Sequence, residues 1–116
     1  MLLYRLKIGI KQYKLDEFHK SMHSLLPKIK SQKGCLYFSL YQNSERGNMS
    51  IVVGEWKTRQ AMEKHFKTHD FEVLIGAAKV LGETFEMKIA EVSQTGGFEL
   101  VKELIASQRS KIAATN

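Results

Sequence analysis

A chain of 116 residues has the length of one domain, and with 43% hydrophobic and 26% charged residues it is not disordered in the main. The net charge of +6 comes from lysines spread along the chain, without the dense basic blocks or basic-aromatic interleaving of nucleic-acid binders, so no nucleic-acid partner is expected. The one cysteine, Cys35, excludes a disulfide framework within the chain and fits the cytoplasm; no apolar run approaches a membrane span, and the first 14 residues, charged at Arg5 and Lys7, lack a secretory signal pattern.

Residues 2–10 alternate as a strand, with Leu6, Ile8 and Ile10 on one face and Arg5 and Lys7 on the other. The period then changes. Leu15, Phe18, Met22, Leu25, Leu26 and Ile29 make one helical stripe, with Asp16 and Glu17 suited to the helix start. Pro27 is expected to kink its last turns, and Gly34 to end the unit. Residues 35–41 read as a strand with Cys35, Tyr37, Ser39 and Tyr41 on one face and Leu36, Phe38 and Leu40 on the other. A turn at 43–48, carrying Gly47 and Asn48, leads to a returning strand at 49–56. Thr58 is the expected N-cap of a short helix from 59 to about 67, and Asp70 that of a second helix burying Phe71, Leu74, Ile75, Ala78 and Leu81. Gly82 sits where a helix stops. Residues 83–92 alternate Phe85, Met87 and Ile89 against Glu86 and Lys88. After Gly96 and Gly97, the residues Phe98, Val101, Leu104, Ile105 and Ile112 mark a final amphipathic helix, fraying from about Lys111.

This order predicts an α+β fold, the ferredoxin-like βαββαβ arrangement with an antiparallel sheet and an extra C-terminal helix. Residues 1–95 form the domain and 96–116 the extension, which either covers the sheet edge left by the last strand or swaps onto a partner chain. The middle strands are apolar on both faces. A sheet with helices on one side only should have one wet face, so a second copy of the chain is expected to cover the other, giving a homodimer.

The segments GCLYFSLYQN, EWKTRQAMEKHFKTHDF and LIGAAKVLGE, with the joined spacing of Trp56, Ala61, His65 and Phe71, resemble the antibiotic biosynthesis monooxygenase family over roughly residues 2 to 92. The resemblance implies a dimeric α/β barrel. Family members include oxidases of polyketide and other quinols that use dioxygen without metal or flavin, a branch that rearranges a sugar-like signal, and a haem-degrading branch. The haem branch has a Trp on the short helix and an axial His on the next; the matching positions here are His65 and Ile75, and Ile75 has no atom to ligate iron. Many members place a Glu two residues before the strand-ending Trp, on its face. Here that position is Gly54, and Glu55 points the other way.

Within that frame His65 is the candidate catalytic base, lying on the apolar half of the short helix near Ala61, Met62 and His69, and having a pKa that is ordinarily near neutrality. The competing reading is a histidine that packs and hydrogen-bonds at the rim of the core. Trp56 is the candidate aromatic wall of a pocket, with Phe71, Met62, Leu74 and Tyr37 as further substrate-binding candidates; each also fits plain core packing. The i, i+4 pairs His19/His23 and His65/His69 have metal-holding spacing, but no third ligand is placed by sequence, so no metal is expected. Cys35 reads as a structural thiol, and Gly96-Gly97 lacks the context of a phosphate loop. The expected function is a cofactor-independent monooxygenase acting on a small aromatic or quinol substrate, with His65 taking a proton and Trp56 with Phe71 holding the ring. A non-oxidative isomerase on the same scaffold and a ligand-binding module without turnover are the alternatives.

Overall fold

The computed structural model describes residues 1–115, with side chains through residue 111. The expectations for Ile112 and for fraying beyond Lys111 fall outside the described side chains. Four strands, β1 (Leu2–Ile10), β2 (Cys35–Gln42), β3 (Met49–Trp56) and β4 (Gly82–Glu91), form one sheet in the order β2-β3-β1-β4, every neighbouring pair antiparallel. The helices are α1 (Leu15–Lys30), entered through a 3₁₀ turn at Gln12–Lys14, α2 (Arg59–Phe66), α3 (His69–Leu81) and α4 (Phe98–Thr115). The α+β, ferredoxin-like arrangement stands as expected.

The core forms where the inward alternation of β1 meets the helical stripes. Leu2, Tyr4, Leu6, Ile8 and Ile10 are buried on one side of β1, and Phe18, Met22, Leu25 and Ile29 of α1 close over the same side with Leu74, Ala78 and Leu81 of α3. Each large apolar side chain so buried contributes about 1.5–3 kcal/mol relative to exposure. The polar faces look outward because their spacing leaves them no other choice.

Three local details depart from the sequence reading. The β2–β3 register slips between Cys35 and Tyr37: Cys35 stands opposite Trp56 and Tyr37 opposite Glu55, leaving Leu36 as the extra residue of a bulge. Strict alternation therefore fails at that point. Cys35 turns to the helix-covered face and packs against the core, Tyr37 takes the opposite face, and Leu36 is 53% exposed. The cap of α3 is Thr68, not Asp70; the Thr68 hydroxyl accepts from the Phe71 N–H at 3.2 Å, and Asp70 falls in the first turn, where a carboxylate still complements the helix dipole. Thr58 caps α2 as expected, accepting from the Ala61 N–H at 3.1 Å. Third, α4 does not cover the edge of its own sheet. It makes no substantial packing with any other described element, its Phe98, Val101, Leu104 and Ile105 are exposed, and the radius of gyration is 18.3 Å where a compact chain of this length has about 13 Å. On β4, Phe85 and Ile89 face the helical side and stay half exposed, Phe85 bordering a small hollow with Ala78 of α3.

The other face of the sheet has no cover among the described residues. Leu3, Ile51 and Val53 are half-buried there beside Arg5 and Lys7, and Tyr37 and Tyr41 are exposed, their hydroxyls bonded to each other.

The β1–β3 register also places Tyr4 directly opposite Gly54. A Cβ at Gly54 would lie 2.9 Å from Tyr4 Cε1 and 3.1 Å from Trp56 Nε1. The Tyr4 ring therefore occupies the room that a side chain at 54 would need. Gly54→Ala should destabilise the fold by about 1–3 kcal/mol through this overpacking, measured as a lower urea midpoint; an unchanged midpoint would show that the ring yields freely.

Candidate functional site

His65 comes from the inner face of α2, one turn beyond Met62, and Trp56 from the last position of β3. Both are shut away from water, His65 at 1% exposure and Trp56 at 0%. Their rings stack with centroids 4.3 Å apart. Tyr4, also fully buried, has its ring centroid 5.6 Å from that of the imidazole. Phe71 and Phe66 approach it at 5.0 and 5.7 Å, and Phe38 at 6.1 Å, so an aromatic shell surrounds the histidine.

Both ring nitrogens are engaged. Nε2 lies 2.7 Å from the Tyr4 hydroxyl and Nδ1 2.7 Å from Gln32 Oε1. Gln32 Nε2 donates to Asp70 Oδ2 at 3.5 Å, which leaves its carbonyl for the imidazole. The network then assigns the proton to Nδ1, donating to Gln32, while Nε2 accepts from Tyr4. Burial pushes the His65 pKa down to about 4, with the Asp70 carboxylate opposing weakly, so the ring is neutral at physiological pH. Burial likewise pushes the Tyr4 phenol well above its ordinary value, with Cys35 adding a smaller contribution in the same direction, so Tyr4 stays a hydroxyl. The Trp56 Nε1–H is buried with no hydrogen-bond partner among the described residues. Such an orphan costs about 1–3 kcal/mol.

A cleft of about 130 Å³ borders His65 and is lined also by Gln32, Lys33, Ala61, Lys64 and Thr68. A larger hollow of about 470 Å³ shares Lys33, Ala61 and Lys64 with it. Gly34 makes this corner possible. Its φ of +84° is a left-handed conformation, and a Cβ there would stand 2.5 Å from the Ala61 Cβ, so only glycine lets the chain enter β2 this close to α2.

Among the sequence candidates, the structure gathers His65, Trp56 and Phe71 into one cluster and leaves the others out of it. Met62 and Leu74 are fully packed in the core. Tyr37 points to the opposite face of the sheet and lines a separate hollow of about 270 Å³ with Cys35 and Lys30. His69 does not share a helical face with His65, because α2 ends at Phe66 and α3 begins at His69; its side chain is 84% exposed beside Glu72. His19 and His23 border a shallow hollow with Tyr41, and no group of three metal-binding side chains occurs among the described residues. Ile75 packs against the core. Sequence reasoning missed Tyr4 and Gln32. Tyr4 had a signal, an aromatic on the inward alternation of the first strand, but its glycine partner is known only once the strands are paired. Gln32 had none, since its loop is placed by the fold.

Residues 1–76 match the family described as antibiotic biosynthesis monooxygenase. An uncharacterised protein of Synechocystis sp. is 27% identical over 89 residues, 76% of this chain; the chain spans 60% of the length of that curated relative. Among solved structures, an antibiotic biosynthesis monooxygenase superposes with a TM-score of 0.73 at 19% identity, covering 81% of this chain and all of that one. A conserved protein of Methanosarcina mazei gives 0.73 at 21% identity over 78% of this chain and 90% of that one, and a protein of Mycobacterium tuberculosis gives 0.75 at 9% over 83% and 98%. At such identities the likeness is one of fold. No described helix is long and apolar enough to cross a membrane.

The depressed pKa of His65 ties stability to pH. The unfolded chain takes up the imidazole proton near pH 6.5, and the folded protein only near 4. The unfolded state thus binds more protons between these values, and stability falls as pH drops through that window by about 3 kcal/mol. His65→Phe should flatten that part of the urea-midpoint profile between pH 7 and 4; a variant that keeps the slope would assign it to other groups.

Proposed function

The chain belongs to the antibiotic biosynthesis monooxygenase family, and on that footing we propose that it is a cofactor-independent monooxygenase of small quinol-type aromatics, with His65 as the base. The observation that carries this reading is a neutral imidazole, stacked on Trp56 and belonging to a residue that borders a cleft, whose two nitrogens are both bonded to groups able to change partners. A substrate hydroxyl entering the cleft displaces the Gln32 carbonyl from Nδ1. The Tyr4 hydroxyl both donates and accepts, so the ring shifts to the tautomer with its proton on Nε2, donating to Tyr4, and a bare Nδ1 facing the substrate. Nδ1 then takes the phenolic proton. The phenolate beside the new imidazolium opposes the burial that holds the His65 pKa down.

The deprotonated ring supplies the electrons to dioxygen. One oxygen atom enters a ring carbon and the other leaves as water, so that a hydroquinone plus dioxygen gives a hydroxyquinone plus water. The aromatic shell of Trp56, Phe66 and Phe71 keeps water from the reacting ring and orients it. Residues 1–95 carry this chemistry and 96–116 are an extension. The working unit in this reading is a homodimer in the cytoplasm; the uncovered sheet face with Leu3, Ile51, Val53, Tyr37 and Tyr41 supports the pairing, and the single Cys35 fits a reducing compartment. A second reading, a small-ligand binding module without turnover, draws on Gly54 being filled by the Tyr4 ring and on both His65 nitrogens being occupied at rest.

Oxygen-electrode assays over a panel of quinols should show uptake that His65→Ala lowers by about 10²–10⁴-fold. The kcat/KM profile should stay level from pH 8 to 5 and decline toward 4, because the base must be neutral. No uptake above the buffer rate across the panel, with ligands still bound, would favour the binding module. Solution mass measurement at micromolar concentration should give two chains; a clean monomer would remove the pairing through the open sheet face.

A further inference from the structure

The hollow in front of His65 is framed by three lysines from three separate segments: Lys33 from the loop before β2, Lys57 just past β3, and Lys64 on α2. The fold brings them together through Gly34, whose carbonyl accepts from the Lys57 N–H at 2.8 Å and whose missing side chain lets Ala61 approach. No carboxylate lines this hollow or the cleft to His65 among the described residues; Asp70, which meets Gln32, lines neither. None of the three lysines takes part in an ion pair among the described residues. Gathering like charges without a counter-charge opposes folding, which sets this corner apart from a surface where lysines are merely spread. The volume of about 470 Å³ suits a small ligand.

We propose that this hollow binds the acidic group of the substrate, so that the ligand class is an aromatic bearing a carboxylate or a comparable anionic group, held by Lys33, Lys57 and Lys64 with its ring hydroxyl directed down the cleft to His65. The assignment of the ring hydroxyl rests on the oxygenase reading; the anion site itself does not.

Calorimetric titration tests it with four probes: 2,5-dihydroxybenzoate, hydroquinone, benzoate and inorganic phosphate. The expected result is that 2,5-dihydroxybenzoate binds at least tenfold more tightly than hydroquinone, weakens with added salt, and loses about fivefold in affinity in Lys64→Met and again in Lys33→Met, while hydroquinone binding stays the same. All three lysines are exposed, so these variants keep the fold, checked by their urea midpoints. Equal affinity for 2,5-dihydroxybenzoate and hydroquinone, or affinity unmoved in the variants, would overturn the proposal. Phosphate binding as tightly as 2,5-dihydroxybenzoate, or benzoate failing to compete with it, would overturn it too, showing a site for free anions or one blind to the acid group. Oxygen uptake separates the two readings. Charge-dependent binding without uptake upholds the anion site and removes the oxygenase; uptake indifferent to both the carboxylate and Lys64 upholds the oxygenase and removes the anion site.

Discussion

The bond between the Tyr4 hydroxyl and His65 Nε2 is the contact around which the interior is arranged. A neutral histidine buried this deeply keeps its place only if both nitrogens have partners, since each unmet one costs about 1–3 kcal/mol. Tyr4 supplies one from the central strand and Gln32 the other from the loop before β2. Elements far apart in the chain, separated by 61 and 33 residues from His65, are thereby joined at one imidazole. Trp56 and the phenylalanines around it add stacking and exclude water, which strengthens both bonds.

Gly54 is the steric condition for that arrangement. The Tyr4 ring lies over a backbone with no side chain, and its hydroxyl then reaches α2. At this position, where the family resemblance leads one to expect a glutamate, any side chain would contest the space that Tyr4 fills. The absent carboxylate and the Tyr4–His65 pair are thus one feature seen from two strands.

Burial reconciles the structural place of His65 with the chemistry proposed for it. Its neutrality, imposed by desolvation, removes the cost of a charge in the core and also leaves it unprotonated and ready to accept a proton. The readings of His65 as a packed core residue and as a base, set against each other on sequence alone, are compatible in the fold: the ring sits in an aromatic shell, and a cleft borders the residue beside Gln32. Lys33 and Lys64 line both the outer hollow and the cleft beside His65.

The order of strands and helices, the inward faces of β1 and α1, the cap at Thr58 and the pairing of Trp56 with His65 were legible in the sequence, because each rests on short-range periodicity or on a resemblance carried by contiguous residues. The capping of α3 by Thr68 and the bulge at Leu36 were not, since a local pattern offers two neighbouring hydroxyl or carboxyl caps and two alternations of equal merit, and packing chooses between them. Nor were Tyr4 and Gln32. Their roles depend on strand register and on where a loop lies, and both are long-range quantities. The sequence by itself determined which residues are apolar enough to be inside and which few are candidates for chemistry. Only the tertiary structure decided which of those meet, because hydrogen-bond partners and the room left by Gly54 exist only once strands distant in the chain are paired.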